Sequence, residues 1–275
     1  MTTEEKNILI DFLDLTADYL GDGHRRRRQA PQEPETAPCL QEDQLPEESL
    51  PLAYLVEEDD EVSAEEIPSA QEIVSQAASL EDISAGISTC KACALAATRT
   101  NTVSGEGVTQ PLVMVIGEGP GADEDMTGRP FVGRAGQLLD KMLESIELSR
   151  KKNCFIANMV KCRPPGNRDP EFGEMETCFP FLKKQILLLR PKIIVCAGRV
   201  AAQYLLETRQ GINALRGKFT ELRLSAAEGE ELIIPVLPIF HPSALLMNES
   251  YKRPTWEDLK LLKSFLTSQL IPLEE

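Results

Sequence analysis

Residues 112–146 read LVMVIGEGPGADEDMTGRPFVGRAGQLLDKMLESI, and this stretch decides the fold class. Leu112 to Gly117 is a short apolar run that stops at a glycine, the pattern of a strand buried on both faces. A glycine-rich acidic loop follows, and Gly133 to Ile146 then carries apolar residues at helical spacing. The same alternation continues down the chain. Asn153–Asn158, Lys192–Gly198 and Ile233–Phe240 read as further strands, with helices expected at about 173–189 and 199–207 and a last one from Thr255. Strand-helix alternation of this kind predicts right-handed βαβ units: an α/β fold with a mainly parallel four-stranded sheet and helices on both faces.

N-terminal to this region the composition changes. Residues 4–20 place Ile8, Leu9, Phe12, Leu13, Tyr19 and Leu20 near helical spacing, giving one short amphipathic helix, with residues 1–20 expected to serve as a docking peptide. Residues 21–79 are expected to be an acidic disordered linker, because a stretch rich in Pro, Glu, Asp and Gln cannot bury enough apolar surface to offset its ordering entropy. The run Arg25 to Arg28 is read first as a solvated charge run, with a phosphate tether as the alternative. Order is expected from Leu80, where Leu80, Ile83 and Ile87 lead in helical steps to Cys90, so the folded domain is placed at 80–275.

The 275 residues carry a formal charge of −15, which on its face argues against a nucleic-acid partner. Its distribution reverses that argument. Residues 1–80 hold 20 Asp and Glu against 5 Lys and Arg, whereas the rest of the chain holds 24 of each sign. A basic face on the domain is therefore allowed, and Lys161, Arg163, Arg168, Lys183, Lys184, Arg190 and Lys192 are the candidates. No apolar run approaches the roughly 18 residues of a membrane span, and the start carries two glutamates where a signal peptide has basic residues. These features predict an intracellular, cytoplasmic protein without a membrane partner, and a monomer.

Seven cysteines in a reducing compartment point to metal, catalysis or packing rather than disulfides. Cys90 and Cys93 form a C-x2-C pair, and Cys162 and Cys178 flank a loop and a helix start. Four thiolates suit zinc or a four-iron cluster, and spacing does not choose between them. Cys154 and Cys196, inside strands, read as packing.

Ligands of open α/β sheets sit beyond the carboxyl ends of the strands. There the sequence places Gly117-Glu118-Gly119-Pro120-Gly121, then Asn158, then Phe240-His241-Pro242-Ser243. The first segment lacks the glycine order of a dinucleotide fingerprint and the Lys-Ser/Thr ending of a P-loop, and its acidic residues repel phosphate. Phe131 could stack on a planar ligand. Asn158 offers a donor and an acceptor together, which matches a base edge. His241 is the domain's only histidine, His24 being in the tail. Leu245 and Leu246 follow it where apolar wedges are known in proteins that unstack DNA; the alternative is an ordinary first turn of a helix.

Taken together, GEGPGADEDMTGRPFVGRAGQLL at 117–139, NMVKCRPPGNRDP at 158–170 and HPSALL at 241–246 resemble the family 4 uracil-DNA glycosylases, over about residues 80–270, and the cysteine spacing agrees. The resemblance implies a three-layer α/β/α domain and a [4Fe-4S] cluster on Cys90, Cys93, Cys162 and Cys178. The implied activity is a hydrolase of base excision repair that flips uracil out of single- or double-stranded DNA and leaves an abasic site. It implies that Phe131, Asn158, Gly119 and His241 contact uracil, that His241 donates to the base, and that Glu118 serves as the catalytic carboxylate, with Glu124 as alternative, either as a base or as the wall that excludes thymine's methyl group. Leu245 and Leu246 become the wedge, Arg163 and Arg168 DNA contacts, and the N-terminal helix a tether for a replication or repair protein. Two positions depart from the likeness. Gly119 stands where the more distant family 1 enzymes carry aspartate, and Met247 where an arginine commonly follows the two leucines.

Overall fold

The computed structural model describes residues 68–226 and 229–269. The expected helix at 4–20, Arg25 to Arg28 and most of the 21–79 linker lie outside the described residues. In chain order the elements are helices α1 (Ala70–Gln76) and α2 (Leu80–Thr89), strands β1 (Glu106–Gly107) and β2 (Val113–Gly117), helices α3 (Ala122–Thr127) and α4 (Arg134–Glu144), and strand β3 (Cys154–Asn158). Then come α5 (Phe172–Leu189), β4 (Ile193–Ala197), α6 (Arg199–Leu205), α7 (Ile212–Leu215), β5 (Thr220–Ser225), β6 (Glu231–Ile239), α8 (Pro242–Met247) and α9 (Lys252–Ser268).

The four expected strands form the parallel centre, in the order β3-β2-β4-β6. Two antiparallel edge strands, β1 beside β3 and β5 beside β6, bring the sheet to six. Neither edge strand has a fully apolar pattern: β1 is two residues long, and β5 alternates exposed and buried positions. That period-2 signal marks a half-covered edge and is weaker than a continuous apolar run.

Each central strand sends alternate residues to opposite faces, as the pleat requires. Val113, Val115, Ile156 and Val195 pack under α4, α8 and α9, against Leu139, Leu143, Leu245, Trp256 and Leu259. Met114, Ile116, Ile194 and Cys196 pack under α5 and α6, against Leu182, Ile186, Ala202 and Leu205. The result is a three-layer α/β/α sandwich. Cys154 and Cys196 are fully buried, one on each face, as packing residues.

The folded region starts earlier than Leu80. Ser69 caps α1 and closes a reciprocal box with Glu72. Ala70 and Val74 are buried in a third apolar cluster with Ile83, Ile87, Phe181, Cys162 and Cys178. A Cβ on Gly86 would fall 2.2 Å from Ile73 Cγ2, so the glycine is what lets α1 and α2 close on each other.

Candidate active site

The carboxyl ends of β2, β3 and β6 open on a cavity of about 600 Å3 lined by Glu118, Gly119, Glu124, Phe131, Asn158, Arg199 and His241 among others. The site residues predicted around the base meet here. Asn158 ends β3, is 1% exposed, and its Oδ1 has no hydrogen-bond partner. A buried acceptor left unpaired costs about 1–3 kcal/mol, so the cavity is built to receive a donor at that point. Gly117 makes room for it: a Cβ there would lie 2.5 Å from Asn158 Oδ1 and 2.6 Å from Phe131 Cζ.

Phe131 is held in an unusual backbone state, with φ of 51°. That state costs on the order of 1–3 kcal/mol for a bulky residue and persists only when its surroundings impose it. Arg150 imposes it by donating from Nη1 to Pro130 O at 2.8 Å and from Nη2 to Phe131 O at 2.9 Å, while pairing with Asp140. Gly136 imposes it from the other side, since a Cβ there would sit 2.0 Å from the Phe131 carbonyl. The ring faces His241 with centroids 5.7 Å apart. Arg150 and Gly136 escaped the sequence reading because neither lies at a strand end.

His241 precedes α8 as its N-cap. Its Nδ1 accepts the Ser243 N–H at 3.2 Å and lies 2.7 Å from Ser243 Oγ. An Nδ1 that accepts carries no proton, so the tautomer keeps its hydrogen on Nε2. Burial lowers the imidazole to about 4, against a smaller opposing effect of Glu124. The ring is therefore a neutral donor at physiological pH.

The two carboxylates divide. Glu118 is raised to about 7, first by burial, then by Asp169, with Arg199 opposing. Arg199 itself is ion-paired with Asp169. Glu124 is instead consumed by the backbone. Its Oε1 accepts from Val132 N at 2.8 Å and Gly133 N at 2.9 Å, and its Oε2 from Gly121 N at 3.1 Å. It clamps the two ends of the loop together, which corrects its reading as an alternative base. At Gly119 an added Cβ would come within 2.9 Å of Val160 Cγ2, so the position has no room for an aspartate side chain without a shift.

The structure places the four expected DNA contacts as follows. Leu245 is fully buried in the core beneath α8 and cannot be a wedge where it stands. Leu246 is half-buried against the same core, and the exposed apolar side chain at the end of α8 is Met247, at 88%. Arg168 grips Glu174 with both terminal guanidinium nitrogens, Nη1 to Oε2 at 2.8 Å and Nη2 to Oε1 at 2.6 Å, and so braces the 163–170 loop onto α5. Arg163 donates to Asn167 Oδ1 across that loop. Three residues of the expected basic face do not join the loop arginines on one surface: Lys161 is 1% exposed, Arg190 pairs with Glu230, and Lys192 sits at the opposite end of the sheet.

Cys90, Cys93, Cys162 and Cys178 line one small cavity together with Arg99, Lys161 and Phe181. Among the described residues no group of three or more His, Cys, Asp or Glu side chains gathers closely enough to hold a single metal ion. Arg99 Nη1 donates to Cys162 Sγ at 3.0 Å, and burial pushes the Cys178 thiol up to about 12. Lys161 joins this cavity to the cleft. Its Nζ donates to Asn158 O at 3.0 Å and to Gln185 Oε1 at 2.8 Å.

Comparison with known proteins agrees with this geometry. The model of the uracil DNA glycosylase superfamily matches residues 104–260. A type-4 uracil-DNA glycosylase of Sulfurisphaera tokodaii is 42% identical over 67% of this chain and 84% of that protein. The type-4 enzyme of Thermotoga maritima is 39% identical over 69% of this chain and 96% of its own length. A type-5 uracil-DNA glycosylase of Pyrobaculum aerophilum is more distant, 31% identical over 50% of this chain and 63% of the relative. No helix among the described residues is long and apolar enough to cross a membrane.

Proposed function

This chain belongs to the uracil-DNA glycosylase superfamily, and we propose that it is a monofunctional uracil-DNA glycosylase acting in base excision repair, cutting the N-glycosidic bond of a flipped uracil and leaving an abasic site. The observation that carries this reading is the unpartnered, buried Oδ1 of Asn158 in a cavity walled by Phe131 and a neutral His241. Uracil presents N3–H to that oxygen and O4 to the amide nitrogen. Cytosine presents an acceptor and a donor in the same places and meets like against like, a mismatch of unpaired polar groups that buried sites reject strongly.

Extruding the base costs a few kcal/mol, least for a mismatched or unpaired nucleotide. Phe131 then stacks on the ring. As the bond from C1′ to N1 lengthens, the electron pair moves into the uracil and negative charge grows on O2, where His241 donates from Nε2. A preorganised donor of this kind is worth about 3–4 kcal/mol. Glu118, as carboxylate, faces the positive sugar or takes a proton from the water whose oxygen bonds C1′, that proton passing on to the departing uracil anion. Among the described residues no lysine lines the cavity, and Lys161 is committed to Asn158 O and Gln185, which favours hydrolysis over attack by an amine. The wedge falls to Met247 and Leu246 in place of Leu245.

Cys90, Cys93, Cys162 and Cys178 would hold the [4Fe-4S] cluster. Four cysteines lining one cavity are the donor set that a four-iron cluster takes, and the likeness to type-4 glycosylases favours it over zinc. Held there, it would brace the 162–178 segment and would take no step on the base. The domain is further proposed to act as an intracellular monomer, with residues 1–20 as a tether for a repair or replication protein.

The test is release of free uracil from a labelled oligonucleotide, with abasic sites scored separately. Asn158→Ala and His241→Ala should each lower kcat/KM by about 10²–10³-fold while iron and sulfide content stay at wild-type levels. Full activity in both variants would remove this site assignment. Wild-type protein that binds uracil-containing DNA but releases nothing would make the chain a binding module.

A further inference from the structure

A second cavity, of about 620 Å3, adjoins the first, and Arg199 lines both. Its walls include Phe172, Met175 and Phe179 of α5, Tyr204 of α6, and Leu222 and Leu224 of β5. The Phe172 and Tyr204 rings are tilted with centroids 5.9 Å apart, and Phe179 lies 5.3 Å from Tyr204. Phe172 is 68% exposed, and the only large apolar side chains more exposed among the described residues are Met126 at 70% and Met247 at 88%. All three lie on segments that leave the carboxyl ends of β2, β3 and β6, the end of the sheet that carries the cleft. Apolar groups left in water together on one side of a domain mark a surface that is covered in use. Arg199, Arg209 and Arg223 line the groove against Asp169 and Glu207.

We propose that this groove is a subsite for an unpaired nucleotide of the same DNA strand, next to the one in the catalytic cleft, its base stacking on Phe172 and Tyr204 and its phosphate passing Arg199 and Arg209. The proposal rests on the glycosylase reading above and adds to it a preference among substrates. Continuity decides the occupant. A strand that has placed one base in the first cavity must cross the boundary that Arg199 marks, and the next feature it meets is an exposed aromatic face. Stacking on aromatic rings suits any base, and arginines beside them track the backbone. A neighbour within a duplex is already stacked and paired and cannot enter. The groove therefore favours uracil in single-stranded DNA.

The test uses the full chain with uracil in single-stranded and in mismatched double-stranded oligonucleotides. Phe172→Ala should raise KM on the single strand about tenfold, with kcat and the duplex KM within about twofold of wild type, and Phe172→Trp should restore the single-strand value. As a second reading, 2-aminopurine placed beside a non-cleavable 2′-fluorouridine should be quenched on binding the wild type and not on binding Phe172→Ala. Unchanged single-strand KM and quenching in Phe172→Ala would overturn the subsite, as would an equal loss on both substrates. Neither result touches the glycosylase reading, which falls only if the wild type releases no uracil; the quenching arm then still decides the subsite. If deleting residues 1–20 lowers the single-strand KM of the wild type but not of Phe172→Ala, the groove belongs to the chain's own acidic amphipathic segment and the nucleotide proposal fails.

Discussion

Glu118 and His241 are displaced by the same cause in opposite directions: burial raises the carboxyl to about 7 and lowers the imidazole to about 4. Both shifts favour the neutral form. For His241 that form is the working one, so its protonation should not limit the rate above pH 5, roughly one unit over its pKa. For Glu118 the working form is the carboxylate. The rate should therefore rise with pH through about 7, and Glu118→Gln should lose that limb and run flat at a lower level. A pH profile of kcat/KM for both proteins checks this, and an unchanged limb in Glu118→Gln would assign it to another group. The two residues also oppose each other in stability. Folded Glu118 holds its proton above the unfolded value of 4.5, so its contribution is present below that pH and is lost as pH rises through about 7. Folded His241 resists protonation, so its contribution is present above 6.5 and is lost as pH falls towards 4. Sequence placed both residues at strand ends but could not separate Glu118 from Glu124. The separation depends on which carboxylate meets backbone N–H groups, and that is a property of the folded loop.

Helix α8 shows how a correct motif can still mislead about its parts. Its six residues, Pro242–Met247, follow the capping histidine, and burial alternates along it by helical turn, so Leu245 faces the core and Met247 faces solvent. Sequence order made the paired leucines equivalent, whereas a helix cannot point neighbours the same way. Leu245→Ala should cost about 2–5 kcal/mol of stability, read as a fall in Tm. Met247→Ala should leave Tm within a degree or two, since exposed positions contribute little, and should raise KM on double-stranded substrate by weakening the wedge. The reverse pattern would restore the leucine to the DNA face. Helix α4 makes a similar point through Gly136, which sequence showed only as part of a glycine-rich helix start. Because a methyl group there would press on the Phe131 carbonyl, Gly136→Ala should move the stacking ring and lower kcat/KM for uracil, with a stability loss of about 1–3 kcal/mol. Both readouts unchanged would mean that the Phe131 backbone is not held by this contact. The parallel strands, by contrast, were legible almost to the residue, because a strand buried on both faces has to be apolar throughout.

The molecule as a whole joins a domain with balanced charge to an N-terminal region that holds the excess of acid. The composition shift located that junction only coarsely. Helix α1 is seven residues long, follows an acidic run and contributes only two buried side chains of its own, Ala70 and Val74, too little for periodicity to stand out. What gives it order is tertiary: it completes the apolar cluster that also holds Ile83, Ile87, Cys162 and Cys178. The boundary therefore has a testable position. A chain beginning at residue 68 should retain the Tm and the uracil-releasing activity of the full protein and, having shed most of the acid, bind DNA more tightly at low salt, because long-range repulsion between like charges is screened as salt rises. A chain beginning at residue 80 removes α1 and strips Ala70 and Val74 from the apolar cluster that packs around Cys162 and Cys178. The lost burial is worth on the order of 2–4 kcal/mol, and iron should be released faster from that chain under a chelator than from the 68-start chain. If the two truncations prove equal in Tm and in iron retention, α1 is not part of the domain and its border returns to Leu80. If the 68-start chain itself loses activity, the acidic region contributes to catalysis in a way that repulsion does not describe.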